Sequence, residues 1–346
     1  MHDAHRRFWA GEGRPLLLLP ASGGPQYDTE GYAARFADPE AMLRAELDRA
    51  LPVLGWPTDG IPVVRPNLGV IFVPAMAGLS FEIRDGQMPW PGPPLSREAI
   101  RASRTAAPGQ TLDLALRLYA APRPEGVAAY APDTQGVFDI AMMLCGEPLL
   151  CALGDDPDWA DEVLEIALDA YLRATRAVKE AIGEPPHEMI HGHGTPQGVF
   201  FPHGGARVSE DSATLLSPRM LDRFVLPYVE RALAPFGGGF VHFCGRHKYL
   251  FEALCRLALV RAIDLGNSEL FDTRWVFETA ARRGVALYSR IAAEPDEPWR
   301  VYLDRIATLI DQTGTRVILR PMAAPGSREE CAEAFDWWRE RFRAPE

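Results

Sequence analysis

Apolar positions recur along this chain with two different periods, and the alternation between them sets the expected elements. Within 156–182, Val163, Ile166, Ala167, Ala170 and Tyr171 fall three or four apart, the spacing of one helical face. Short blocks rich in apolar residues at 126–130, 188–191, 240–243, 261–265, 285–289 and 316–320 read as strands. Helical patterns fill 137–145, 217–236, 248–259, 271–283, 302–312 and 327–342. Ser217-Pro218 and Ser327 supply N-caps, as Asp38-Pro39-Glu40 does near the start.

From about residue 240 onward, strand and helix alternate four times. That alternation predicts parallel strands covered by helices. With further units upstream, the expected fold is α/β: a single (β/α)8 TIM-barrel domain with an N-terminal helical extension over 1–60. Residues 61–108 form a Pro- and Gly-rich excursion, including Met88-Pro89-Trp90-Pro91-Gly92-Pro93-Pro94, expected to cover a pocket. No Gly-x-Gly-x-x-Gly follows a strand, so a dinucleotide fingerprint is missing.

Bulk properties narrow the function classes. A chain of 346 residues, 47% hydrophobic, has the length of one barrel with extensions and apolar content for a large core. The formal net charge of -11, with no basic run, makes nucleic acid and anionic membranes poor partners. The apolar run at 16–19 is too short for a signal-peptide core or a membrane span, so a cytoplasmic location is expected. Five scattered cysteines do not suggest a disulfide framework. The oligomeric state is left open.

In a barrel of this kind the chemistry sits at the C-terminal ends of the strands. There the chain reads Val-His-Phe-Cys-Gly at 241–245. On a strand His242 and Cys244 share a face, and imidazole and thiolate are zinc ligands. Adjacent carboxylates at Glu210 and Asp211 precede a capped helix, as candidate general bases or oxygen ligands. His191-Gly-His193 and His203 lie in a glycine-rich stretch and are candidates for metal or anion contact. Asn267 follows the 261–265 strand as a candidate substrate contact. The run 187–191 spells His-Glu-x-x-His, but that motif needs a helix. Pro185-Pro186 before it and Gly192 after it leave no room for one, so the match is read as chance.

Taken together, Ser209-Glu210-Asp211, Leu215-Leu216-Ser217-Pro218-Arg219-Met220, Phe224, Leu226-Pro227-Tyr228, His242-Phe243-Cys244-Gly245 and Asp264-Leu265-Gly266-Asn267 resemble the uroporphyrinogen decarboxylase superfamily. The resemblance spans roughly 125–345 and leans toward the zinc-dependent branch, the methylcobamide:coenzyme M methyltransferases. It implies His242 and Cys244 as zinc ligands, and a zinc-activated thiol that accepts a methyl group from a corrinoid. The family's further cysteine has no counterpart here, because 317–322 reads Val-Ile-Leu-Arg-Pro-Met. The third ligand is therefore expected from the 191–211 region: His193, or Glu210/Asp211. His191, His203 and Asn267 are expected to contact substrate. No Asp-x-His-x-x-Gly corrinoid signature occurs, so any corrinoid is expected on a partner protein. Three rival readings remain: a metal-free decarboxylase or lyase, a metal-dependent hydrolase built on His191/His193, and a non-catalytic binding module.

Overall fold

A computed structural model describes residues 2–21, 31–84, 87–105 and 109–343. Twelve strands occur among these residues: β1 (Leu16–Leu17), β2 (Ile61–Val64), β3 (Phe81–Glu82), β4 (Trp90–Pro91), β5 (Ala128–Ala129), β6 (Met189–His191), β7 (Gln197–Phe201), β8 (Ala206–Ser209), β9 (Gly239–Phe243), β10 (Val260–Leu265), β11 (Ala286–Ile291) and β12 (Val317–Pro321). One sheet has six strands in the order β1-β12-β11-β10-β9-β8, every pair parallel. A second has four, β5-β2-β7-β6, in which β7 runs antiparallel to both neighbours. Helices intervene between the parallel strands from β8 onward, so the architecture is mixed α/β with a mostly parallel central sheet. The two sheets meet through polar contacts: Asp59 N–H donates to Leu17 O, and Gln197 Nε2 donates to Leu19 O.

The parallel sheet is buried on both faces, as such sheets are when helices cover them. One face carries Val208, Val241, Phe243, Ile263, Leu265, Leu287, Val317 and Leu319, packed against helices in the main core. The other carries Phe240, Ala262, Ala286, Tyr288 and Ile318, joined by Leu16, Val199 and Phe201. Two residues farther along three of those strands, on this second face, come His242, Asp264 and Arg320. The same period of two that builds the apolar plug therefore places polar side chains above it.

Local sequence explains most boundaries. Asp156 caps Pro157–Ile182 by accepting from Trp159 N, and Ser327 with Glu330 forms a capping box on Arg328–Arg341. The helix expected over 217–236 is broken into Pro218–Phe224, Leu226–Leu233 and a final 3-10 turn at Ala234–Phe236. Pro227 has no N–H to donate, and the chain restarts on it. The larger departure is at 188–205. The expectation was one strand and a pliable glycine loop; the finding is an antiparallel hairpin, β6–β7. Its glycines serve close approach, since a Cβ on Gly198 would stand 2.6 Å from Val63 Cγ1 and 2.7 Å from Ile190 Cγ2. β1 and β2, from the expected extension and excursion, are fully buried sheet members. Among the described residues no single helix is long and apolar enough to cross a membrane.

Candidate metal centre

Parallel register brings the site together. β9 and β10 pair with Asp264 opposite His242, and β8 pairs with β9 so that Ser209 is opposite His242. The loops after β8 and β9 then place Asp211 and Cys244 beside the same imidazole.

His242 Nδ1 lies 2.7 Å from Asp264 Oδ2, while its Nε2 lies 3.4 Å from Cys244 Sγ and 3.5 Å from Asp211 Oδ1. Asp211 Oδ1 also accepts the Cys244 backbone N–H at 2.6 Å. Asp264 is fully buried and accepts from Arg320 Nη2 at 2.9 Å, and its Oδ2 is 2.8 Å from His193 Nε2. Burial alone would raise the Asp264 carboxyl, but Arg320, His193 and His242 hold it well below the usual carboxylate range. An ionised Asp264 accepts, so His242 carries its proton on Nδ1 and turns the lone pair of Nε2 toward Asp211 and Cys244. Cys244 is exposed as a residue, but its sulfur sits in a partly buried contact with His242, and the thiol is pushed up to about 12, first by that desolvation and then by Asp211. The residues from Gly266 to Glu269 frame the other side: Asn267 Oδ1 accepts the Gly245 N–H at 2.9 Å, and Asn267 Nδ2 donates to Glu269.

Two trios of side chains stand close enough to share a cation, His193–His242–Asp264 and Asp211–His242–Cys244, the donor atoms of each lying within 4.8 Å of one another. In the first, every close contact is already a hydrogen bond, and the Arg320 guanidinium beside Asp264 repels a cation. In the second, nitrogen, sulfur and oxygen donors converge on one side, Cys244 is exposed and the Asp211 side chain is 41% exposed. An N/S/O set with an outward opening fits zinc with a vacant fourth position, and Asp264 completes the carboxylate–histidine arrangement behind it.

The other candidates are placed as follows. Glu210 is fully buried, and its carboxylate accepts from Phe138 N and Asp139 N at the start of the helix Val137–Cys145. That helix has Gly136 at its N-cap, which offers no side chain, so Glu210 supplies the cap. Asp139 returns the contact, accepting Asp211 N and Ser212 N at 2.7 Å each. Burial, reinforced by Asp211, lifts Asp139 to about 7; burial and Asp139 raise Glu210 well above its usual range. Glu210 thus caps that helix and does not face the cluster, while Asp139 holds the loop that carries Asp211. His193 faces Asp264 with a left-handed backbone at φ 44°. His191 is buried beside it, ring centroids 5.8 Å apart, and its Nε2 meets no hydrogen-bond partner among the described residues. Burial, with Arg207, Arg65 and Arg320 adding to it after His193, holds His191 neutral. His203 is remote: it lies after β7, and its carbonyl accepts from Arg261 Nε at 2.9 Å. Residues 186–187 form a turn and 189–191 a strand, so His187 and His191 share no helical face. Sequence reasoning missed Asp264 and Arg320. The available signal was a charged residue inside the apolar strand runs 260–265 and 317–321.

No protein-family model matches the chain, and no curated protein matches it in sequence. Among solved structures, it is similar to a methyltransferase from Methanosarcina mazei: TM-score 0.62, 14% sequence identity, covering 98% of this chain and 97% of that one. At that identity the likeness is one of fold.

Proposed function

We propose that this chain is a zinc-dependent methyl (alkyl) transferase of the uroporphyrinogen decarboxylase superfamily, built on a (β/α)8 barrel, that delivers a methyl group to a small-molecule thiol. The observation that carries the reading is the convergence of Asp211, His242 and Cys244, with Asp264 on the far nitrogen of His242. The fold shared with a methanogen methyltransferase supports it. His242 Nε2, Cys244 Sγ and an Asp211 oxygen would hold the metal, which leaves His193 as a positioning residue on Asp264. A zinc ion there supplies Lewis acidity that keeps a substrate thiol deprotonated near neutral pH, the form that attacks carbon. The methyl donor implied by the sequence resemblance is a corrinoid carried on a partner protein.

The chain's own residues perform the positioning. Asp264, held ionised by Arg320, fixes the tautomer and the plane of His242. Asp211 is held by the Cys244 amide, and its loop by Asp139. Asn267 holds the Gly245 amide and so the turn after the thiol. The test is metal content by mass spectrometry of chelator-free protein. About one zinc per chain is expected, retained in His193→Gln and lost in His242→Ala/Cys244→Ser. Protein without metal, or a double variant that keeps it, overturns the proposal.

A second reading has one observation in its favour. Arg65, Arg207 and Arg320 are buried around His191, and Arg207 pairs with Asp133. Such a set would hold a carboxylate substrate in a metal-free decarboxylase, whose activity would survive chelation.

A further inference from the structure

At the opposite end of the parallel sheet from His242, where β10, β11 and β12 begin, the surface is concave and unusually basic. A cavity of about 600 Å³ is lined there by Trp9, Arg256, Arg261, Arg282, Arg283 and Arg316, among others. Five guanidinium groups in one hollow are unexpected on a chain whose net charge is -11. Among the described residues, none of the five forms an ion pair with a carboxylate.

A simple account is that these arginines neutralise helix ends. Arg261 donates to the carbonyls of His203, Ala258 and Gly237 at 2.9, 3.2 and 3.1 Å, and Arg316 donates to those of Trp9 and Gly284. Gly284 follows the helix Thr273–Arg283, Ala258 lies just beyond Lys248–Arg256, and Gly237 closes the turn at Ala234–Phe236. A helix C-terminus is worth about half a negative charge. Three such ends and the neighbouring Glu252 still leave an excess of roughly two to three positive charges. The Arg316 guanidinium is half-buried, and the charge acting on it is that of Arg261, of its own sign. Holding two guanidinium groups together without a counterion is a cost that a bound anion removes. The carbonyl bonds meanwhile orient Arg261 and Arg316, and a guanidinium has five N–H groups, so donors remain for a ligand.

We propose that this hollow is a binding site for a phosphate-bearing small molecule, with Arg261, Arg283 and Arg316 on the phosphate. Guanidinium groups match phosphate oxygens in paired hydrogen bonds. The volume lies in the usual range of small-ligand pockets, about 300–1,000 Å³. Trp9, which already carries Arg316 over its ring at 6.0 Å, gives the ligand an aromatic wall. A small ligand is favoured over nucleic acid because the basic region is a hollow and the remainder of the chain repels a polyanion. The site is independent of the metal centre and its reading.

The experiment is calorimetric titration of the full chain with inorganic pyrophosphate at constant ionic strength. One saturable site per chain is expected. Its affinity should fall at least tenfold in Arg256→Gln/Arg283→Gln, whose side chains are exposed and whose melting temperature should match the wild type. Affinity should be unchanged in Cys244→Ser. An Arg261→Gln variant, which loses carbonyl contacts as well, should also fail to bind. The proposal is overturned by the absence of saturable binding, by binding that ignores the arginine substitutions, by binding lost in Cys244→Ser, or by a single-stranded oligonucleotide that binds where pyrophosphate does not.

Discussion

A methyl group on Gly266 would stand 2.5 Å from Cys244 Sγ and 3.0 Å from His242 Cε1, so this position admits only hydrogen while the trio keeps its geometry. Gly266→Ala should therefore give folded protein with sharply reduced zinc content, read by mass spectrometry beside a circular dichroism spectrum. Glu210→Ala should do the reverse: lose about 1–3 kcal/mol of unfolding free energy by leaving helix amides unpaired, while zinc stays bound. Urea denaturation with metal analysis separates the two behaviours. At this scale the sequence displays His242, Cys244 and Asp211, because a strand residue, a thiol just past that strand's end and a carboxylate in the preceding loop need no knowledge of pairing. Asp264 and Arg320 are not displayed, because what joins them to His242 is the lateral register of three strands drawn from distant parts of the chain. Glu210 illustrates the converse. Two adjacent acids look equivalent on paper, and the backbone turn between them sends one to a helix end and the other to the thiol.

Pro157–Ile182, capped by Asp156, and Val137–Cys145, bounded by Gly136 and Gly146, agree with the sequence reading nearly to the residue. Those that fail are short or fold back. β1 has two residues, too few for any period, and β2 contains Pro62. β7 hides behind Gly198, whose missing side chain admits Val63 and Ile190. Gly198→Ala should overpack that contact and cost about 1–3 kcal/mol, seen as a lower urea midpoint. The first helix, His2–Ala10, is tied down by His5: Nε2 donates to Asp59 O at 2.8 Å, and Nδ1 accepts from Phe200 N at 3.0 Å. Burial lowers His5 from 6.5 to about 4, in spite of Asp59. The unfolded chain then takes up a proton that the folded one refuses. The contribution is complete above about pH 6.5 and disappears as pH falls toward 4, amounting to roughly 3 kcal/mol at most. The wild-type urea midpoint should drop more between pH 7 and 5 than that of His5→Leu, whose midpoint lacks this component.

For the whole molecule, a metal bound only by the folded state adds stability by mass action. At one hundred times its dissociation constant, free zinc contributes about 2.7 kcal/mol. In a chain of 346 residues that shifts the thermal midpoint by about 4 °C. Calorimetry with and without chelator should show this in the wild type and not in His242→Ala/Cys244→Ser. The parallel alternation of the last hundred residues made the fold class legible, while the antiparallel hairpin and the split of the ladders into two sheets depend on contacts between segments far apart in sequence. One such contact also orders the events of synthesis. Leu16 and Leu17 hydrogen-bond alongside Ile318 and Leu319, strands made about 300 residues apart. At ordinary elongation rates β1 leaves the ribosome roughly 15–60 seconds before its partner exists. Until then the edge of β1 that pairs with β12 has no partner of its own chain, and a nascent chain stalled before residue 317 is the form most exposed to chaperone capture.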